Sequence, residues 1–311
     1  MLQYLIILLD ETSTSYCHYD NPRTEKRLIS LDDLKAGILF AMKENLMIQF
    51  VYPAYEIPAK YKEAIETIDH IKIMPSDSEC ITSADVVVFN SCEEFFAKKT
   101  EANKDKIFVL RTRGKDLINK TFTTPDNGRL NIIITDIETF TKKDFESYKQ
   151  WLSELGEMVK DIYCNGNMPQ INILTDRILL DKMNNCNAGY ENITLAPNGK
   201  FYVCPAFYYE DEKADIGNLK DGLKIKNPQL YKLEYAPLCR ICDAYQCKRC
   251  VWLNRKTTLE VNTPSHEQCV VAHLERNTSA ILLKELKPTG YFTDKEIPAI
   301  DYLDPFETIN N

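Results

Sequence analysis

The sequence predicts an α/β fold, with a mostly parallel strand–helix domain followed by a small cysteine-rich domain. Up to about residue 168, short apolar and β-branched segments alternate with amphipathic segments, which is typical of strand–helix units around a parallel sheet. After Gln170 the helical periodicity fades and turn residues become frequent. Seven of the 11 cysteines also fall in this second part. The predicted units are an α/β domain over 1–170, a cysteine-rich domain over 171–286 and an extended tail over 287–311.

The predicted strands and helices follow from apolar periodicity. Seven strands are expected at residues 4–9, 47–51, 71–74, 86–89, 107–110, 132–134 and 171–174. Two helices are expected to begin at capping-box pairs. These pairs are Ser30 with Asp33 and Ser265 with Gln268. The first of these helices is predicted to have an apolar face of Leu34, Ile38, Leu39 and Met42. A long helix over 142–163 is expected to bury its aromatic side chains.

A β-hairpin is predicted early in the cysteine-rich domain. Asn198-Gly199 is the favoured dipeptide of a two-residue type I′ turn, and alternating strands flank it. That register places Cys204 opposite Ile193. We therefore expect the hairpin to carry Cys204 back toward Cys186.

Composition excludes several classes of function. Lys plus Arg total 38 against 46 Asp plus Glu, and a chain of net charge −8 is a poor binder of nucleic-acid backbones. Neither G-x-G-x-x-G nor G-x-x-x-x-G-K-[ST] occurs, so the common phosphate-binding loops are missing. No apolar run approaches 18 residues, and the apolar start lacks the basic and cleavage regions of a signal peptide. We expect a cytoplasmic protein without a membrane or nucleic-acid partner.

Four cysteines within twelve residues indicate a metal centre. The spacing is Cys239-x2-Cys242-x4-Cys247-x2-Cys250. Cytosolic thiols are kept reduced, which disfavours a disulfide framework. A single zinc ion usually draws its two C-x2-C pairs from positions a dozen or more residues apart, whereas iron–sulfur proteins use denser runs. The local charge of +4 between residues 239 and 256 favours thiolates and anionic clusters. Both interpretations, iron–sulfur and structural zinc, stay open on spacing alone.

The cysteine pattern resembles a SPASM domain, the cluster-binding extension of radical-SAM peptide maturases. That pattern is C-x9-15-G-x4-C, then C-x2-C-x5-C-x3-C, then a distant cysteine. The first part is matched by Cys186-x12-Gly199-x4-Cys204, the second is one residue short in each of its two later gaps, and Cys269 supplies the last member. The resemblance implies two 4Fe-4S clusters. Their implied ligands are Cys186, Cys204 and Cys250 for one, and Cys239, Cys242, Cys247 and Cys269 for the other. The fourth position of the first set is left to another side chain, water or the substrate.

The beginning of the chain narrows this resemblance. LQYLIILLDETSTSYCHY and KENLMIQFVYP are similar to the CXXX repeat peptide maturases, SPASM-bearing proteins associated with ribosomally made, cysteine-repeat peptides. This resemblance also implies a degenerate partial barrel for the front domain. The C-x3-C-x2-C motif of the radical-SAM cluster is absent, so no S-adenosylmethionine site is expected. The implied function is maturation of a cysteine-containing precursor peptide, alone or with a companion modification protein. The alternative is a peptide-binding scaffold with structural zinc.

A few residues outside this pattern have two interpretations each. Cys17 and His18 follow the first strand, where α/β proteins often build sites, but a buried thiol beside a surface histidine is equally ordinary. His266 and His273 flank Cys269, and either could be the missing cluster ligand or a surface residue; we expect both at the surface. A further hypothesis is that the three-cysteine cluster binds a thiolate of the peptide substrate at its open position.

Overall fold

A computed structural model describes residues 2–98, 106–119, 122–125, 127–184 and 186–305. Its strands are β1 (Tyr4–Leu8), β2 (Met47–Val51), β3 (His70–Pro75), β4 (Val86–Phe89), β5 (Ile107–Thr112), β6 (Gly128–Ile134), β7 (Pro169–Ile171), β8 (Asn192–Leu195), β9 (Phe201–Tyr202), β10 (Gly217–Asn218) and β11 (Gly222–Leu223). Its helices are α1 (Leu31–Glu44), α2 (Ala59–Ile65), α3 (Cys92–Lys98), α4 (Gly114–Ile118), α5 (Lys142–Cys164), α6 (Thr175–Leu179), α7 (Pro205–Glu210), α8 (Val251–Thr258) and α9 (His266–Leu286).

Within the described residues, strands β1 to β9 form one sheet in the order β7-β6-β5-β4-β3-β2-β1-β8-β9. Every neighbouring pair is parallel except the β8–β9 hairpin. Parallel sheets are normally covered on both faces, and accordingly Leu5, Ile7 and Leu8 of β1 are fully buried. The predicted α/β class with a mostly parallel sheet is confirmed.

The hairpin of the cysteine-rich part extends the sheet of the front part. β8 pairs with β1 in parallel, from Tyr4 with Asn192 to Ile7 with Leu195. The strand β1 therefore lies between β2 and β8, and it joins the beginning of the chain to the cysteine-rich segment. The long helix α5 packs along α9, so the two parts are also joined on one face of the sheet.

The predicted turn of this hairpin is wrong by one residue. Only Gly199 of the Asn198-Gly199 pair has a positive φ, at 73°, whereas a type I′ turn needs two such residues. The Ala196 amide donates to the Lys200 carbonyl at 3.0 Å, which closes a three-residue loop. Thr194 therefore pairs with Tyr202, and Cys204 is not opposite Ile193.

The capping predictions are confirmed for both helices. The Asp33 amide donates to Ser30 at the start of α1, and the Gln268 amide donates to Ser265 at the start of α9. The predicted apolar face of α1 is only half right, because Leu39 and Met42 are more than half exposed. The helix α5 buries its aromatic side chains as expected.

The seventh strand is shorter than predicted and lies earlier in the chain. It ends at Ile171, because the Ile171 amide donates to the Thr175 hydroxyl at 2.7 Å and not to another strand. The side chain of Asn172 turns back to β6 and donates to the Ile132 carbonyl at 2.9 Å. The helix α6 then begins at Thr175, where the prediction had continued the strand to residue 174.

The chain after α9 returns across the molecule. Tyr291 and Phe292 pack against the Tyr163 ring of α5, with ring centroids 5.0 and 5.5 Å away. Residues 306–311 of the predicted tail lie outside the described residues. No helix in the described ranges is long and apolar enough to cross a membrane.

Candidate functional site

The cysteine-rich loop between residues 239 and 250 turns its sulfur atoms toward backbone N–H groups. The Ala244 amide lies 3.4 Å from the Cys242 Sγ atom. The Leu253 amide lies 3.5 Å from the Cys250 Sγ atom, so Cys250 is the N-cap of α8. Such N–H groups stabilise a thiolate more than a thiol. The loop is therefore arranged to hold negatively charged sulfur.

A first group of thiols lies where the front part meets the cysteine-rich part. Burial raises the pKa of the Cys250 thiol, and so do the neighbouring thiols of Cys17, Cys186 and Cys204. Burial also raises the pKa of Cys17 to about 11, and Cys186 adds to this increase. The pKa of Cys204 is likewise raised by burial and then by Cys186 and Cys17. The structure thus brings together three predicted ligands and adds Cys17. We call these four residues the Cys17 group.

A second group of four thiols lies between the loop and the start of α9. The pKa of Cys247 is raised by burial and then by Cys239, Cys242 and Cys269. Burial, followed by the charges of Cys239 and Cys242, raises the pKa of Cys269 to about 12. These are the four residues that the family resemblance implies for one cluster. We call them the Cys269 group.

Burial raises the pKa of most thiols in the two groups, which favours the neutral thiol in the absence of a metal. A metal ligand must be a thiolate, so binding displaces the proton from each sulfur. Two groups of four cysteines without disulfide bonds, two of them buried and six half-buried, are a donor set suited to soft metals and to iron–sulfur clusters.

The arginine between the two groups supplies unused hydrogen-bond donors. Arg249 is 2% exposed, and its backbone has a φ of 42°. One terminal nitrogen donates to the Tyr231 carbonyl at 2.6 Å, while Nε and Nη1 are buried and have no partner within the described ranges. An unpaired buried guanidinium is costly unless an anion lies beside it. Arg249 lines a cavity with Cys247 and Cys250, so an anionic cluster there fits its free donors.

A single zinc ion and a four-iron cluster need different distances between their sulfur ligands. A tetrahedral zinc holds its sulfur ligands about 2.3 Å away, so they lie about 3.8 Å from one another. In the described ranges, no three His, Cys, Asp or Glu side chains converge in a way that holds one metal ion. A four-iron cluster is larger than one ion, and its thiolates stand farther apart. Thiolates bind both zinc and iron–sulfur clusters, and the free donors of Arg249 suit an anionic centre.

A buried ion-pair network holds the loop beside the Cys269 group. Asp243 accepts from Arg276 at 2.7 and 2.8 Å, from Arg177 at 3.0 Å and from the Tyr302 hydroxyl at 2.7 Å. Burial acts to raise the pKa of Asp243. The hydrogen bonds from Arg276, Tyr302 and Arg177 outweigh burial and hold this pKa well below its usual range. The network joins α6, α9 and the C-terminal segment around the residue that follows Cys242.

The prediction for the histidines on α9 is half right. His266 is exposed, as expected. His273 is 3% exposed, and its Nε2 atom lies 3.6 Å from the Cys242 Sγ atom. Burial lowers the pKa of His273, so the ring is neutral beside the thiol. His273 is a neighbour of the Cys269 group and not a surface residue.

A cavity of about 520 Å³ adjoins the Cys17 group. Residues of β3, β5 and β6 form one wall, and Cys17 and Lys248 also line it. The volume lies within the range of small-molecule and side-chain pockets, about 300–1,000 Å³. The residues from β3, β5 and β6 are His70, Ile71, Ile73, Ile107, Val109, Asn131 and Ile133.

Sequence reasoning missed three parts of this site. In the sequence, Arg249 and Asp243 contribute only to the local charge of the loop, and Cys17 has two interpretations. A signal existed for Cys17, since it directly follows a predicted strand. No sequence signal marks the left-handed backbone of Arg249, because arginine rarely adopts it.

Comparison with known proteins gives a fold and no family. No protein-family model matches the chain, and no curated protein matches it. Several solved structures match the chain in fold. The chain is similar in fold to anSMEcpe. A histidine-tagged anSMEcpe with bound AdoMet is 14% identical, with a TM-score of 0.57, over 99% of this chain and 98% of that one. "Native anSMEcpe with bound AdoMet and Cp18Cys peptide" is 15% identical, with a TM-score of 0.55, over 94% and 99%.

At this identity the similarity shows a shared fold. It shows no family for this chain, and it does not bear on the narrower CXXX repeat family.

Proposed function

We propose that this protein is a cytoplasmic iron–sulfur protein that takes part in the maturation of a ribosomally made, cysteine-containing precursor peptide. The observation that carries the proposal is the sorting of eight buried or half-buried cysteines into two groups, with the free donors of Arg249 between them in the chain. In this proposal each group holds one 4Fe-4S cluster, in a SPASM-like domain over about 171–286. The clusters would supply one-electron transfer.

The maturation role rests on the fold and on the cysteine pattern together. The anSMEcpe structures contain AdoMet and, in two cases, peptides named Cp18Cys and Kp18Cys. The present chain lacks the C-x3-C-x2-C motif. We therefore propose electron transfer and peptide binding for it, with radical initiation assigned to a companion modification protein.

The cavity of about 520 Å³ is the proposed contact for the peptide. Its apolar wall suits an aliphatic side chain, and Lys248 and Asn131 offer polar contacts. Because Cys17 also lines the cavity, a peptide bound there would lie next to the Cys17 group. Electron transfer to or from the bound peptide would then need no large movement.

The first test is the metal content of protein purified without oxygen. Two clusters give about eight irons and eight acid-labile sulfides per chain. Structural zinc would give zinc and no sulfide, and would contradict the proposal. The maturation role is tested separately by mass spectrometry of a co-expressed cysteine-repeat precursor, with the wild-type protein and with a Cys247→Ser variant. An identical precursor mass in both would contradict that role.

A further inference from the structure

The loop after β1 is held from inside the sheet by a buried arginine of β5. The Arg111 Nε atom donates to the Cys17 carbonyl at 2.8 Å, and a terminal nitrogen donates to the Tyr19 carbonyl at 2.6 Å. The His18 Nδ1 atom is 3.0 Å from the Ile134 carbonyl at the end of β6. These contacts fix the backbone on both sides of Cys17.

The same loop packs against the helix that Cys204 begins. Cys204 is the N-cap of α7. The rings of Tyr19 and Tyr209 stack with centroids 5.7 Å apart, and the Tyr208 hydroxyl donates to the buried carboxylate of Glu11 at 2.6 Å. The loop is therefore joined at both ends to the helix that carries Cys204.

Shared cavities connect the loop to the other two cysteines of the group. Tyr16 lines one cavity with Cys186, and His18 lines another with Cys250. The Cys186 amide donates to the Lys248 carbonyl at 3.3 Å, which holds the segment before β8 against the cysteine-rich loop. Tyr16, His18 and Tyr19, which flank Cys17, thus lie beside the segments that carry Cys186, Cys250 and Cys204.

We propose that Cys17 is the fourth thiolate ligand of the cluster held by Cys186, Cys204 and Cys250. The inference rests on the proposed iron–sulfur function and completes its ligand set. On binding, the Cys17 thiol exchanges its proton for a bond to iron, the proton passes to solvent, and no oxidation state changes.

The next residue, His18, is directed toward the end of β6, where its Nδ1 atom lies 3.0 Å from the Ile134 carbonyl. A cluster with four protein thiolates has no open iron, which replaces the hypothesis of a substrate thiolate at that position. The Cys17 group is then an electron carrier next to the peptide cavity, and it does not bind the peptide covalently.

The test compares two half-buried cysteines. Cys80 has the same class of exposure as Cys17 and lies outside both groups, so Cys80→Ser is the matched control. We expect Cys17→Ser and Cys186→Ser to change the same cluster signal in the EPR spectrum of the reduced protein. The signal of the Cys269 group stays, and Cys80→Ser leaves both signals unchanged. An unchanged spectrum in Cys17→Ser would overturn the proposal.

A second measurement uses the wild-type protein and does not depend on the folding of a variant. Alkylation rates of each cysteine are compared by mass spectrometry before and after the iron is removed with a chelator. Cys17 and Cys186 are expected to react about tenfold more slowly when the cluster is present, because an iron-bound thiolate is not free to attack. Equal rates for Cys17 in both forms would refute the assignment. Wild-type protein without iron would instead refute the underlying function.

Discussion

The two groups of cysteines differ in how far apart their members lie in the chain. The Cys269 group comes from one loop and the first turn of α9, all between residues 239 and 269. The Cys17 group comes from four segments, which are the loop after β1, the segment before β8, the start of α7 and the start of α8. The members of the Cys269 group are close together in the chain. The members of the Cys17 group come together only after the sheet has formed.

This difference explains which ligands the sequence could predict. Cys239 and Cys242 are separated by two residues, so a motif displays them directly. The nearness of Cys17 to Cys250 depends on the pairing of β1 with β8 and on the contacts of Arg111. No spacing rule contains that information.

The largest effect is expected from removing the carboxylate beside the Cys269 group. Asp243→Ala leaves the buried guanidinium groups of Arg276 and Arg177 without their partner. Breaking one side of a buried ion pair costs about 3–5 kcal/mol. Urea unfolding should show a loss of this size in the free energy of unfolding. The EPR signal of the Cys269 group should weaken before the signal of the Cys17 group.

The control for this variant is an ion pair at the surface. Asp221→Ala removes a pair with Lys224 whose side chains are 49% and 65% exposed. Such pairs contribute about 0–1 kcal/mol. Equal losses of stability in the two variants would contradict the role given to Asp243.

A smaller effect, directed at the other group, is expected from Arg111→Ala. The side chain is 6% exposed and donates to the Cys17 and Tyr19 carbonyls and to Asn90. Losing hydrogen bonds from a charged group costs about 1.5–3 kcal/mol. Iron analysis and EPR should show loss of the Cys17 cluster with retention of the Cys269 cluster. Simultaneous loss of both would mean that the two groups form as one unit.

The smallest effect concerns the pH dependence of stability. Burial raises the pKa of Glu275 on α9 to about 7, although Tyr148 and Gln246 donate hydrogen bonds to it. A raised pKa means that the folded state prefers the neutral acid. The contribution of neutral Glu275 to the free energy of unfolding is therefore complete below about pH 4, and it is lost as the pH rises to about 7.

Glu275→Gln keeps a neutral group that accepts from Tyr148. Between pH 5 and pH 8 the free energy of unfolding, measured in urea, should fall by about 2 kcal/mol more for the wild-type protein than for this variant. Parallel pH profiles for the two proteins would show that Glu275 is already ionised in the folded state. The same pH profiles show whether the contact between α5 and α9 tolerates an ionised Glu275.

Much of the fold could be predicted from apolar runs and caps, and the errors have physical causes. Strands β2 and β4 match their predicted bounds because each is a short, mostly apolar run. The hairpin register is off by one, since Asn198-Gly199 ends a three-residue loop where Gly199 alone takes a positive φ. The burial of His273 was not predicted, because the segment that covers it, including Tyr302, returns from the far end of the chain.

The position of β1 between β2 and β8 has a consequence for synthesis on the ribosome. Tyr4 pairs with Asn192, and at about 5–20 residues per second the later strand emerges roughly 10–40 s after the earlier one. During that interval one edge of the first strand has no neighbour to cover it. Nascent chains of this protein should therefore depend on chaperones until β8 has been translated.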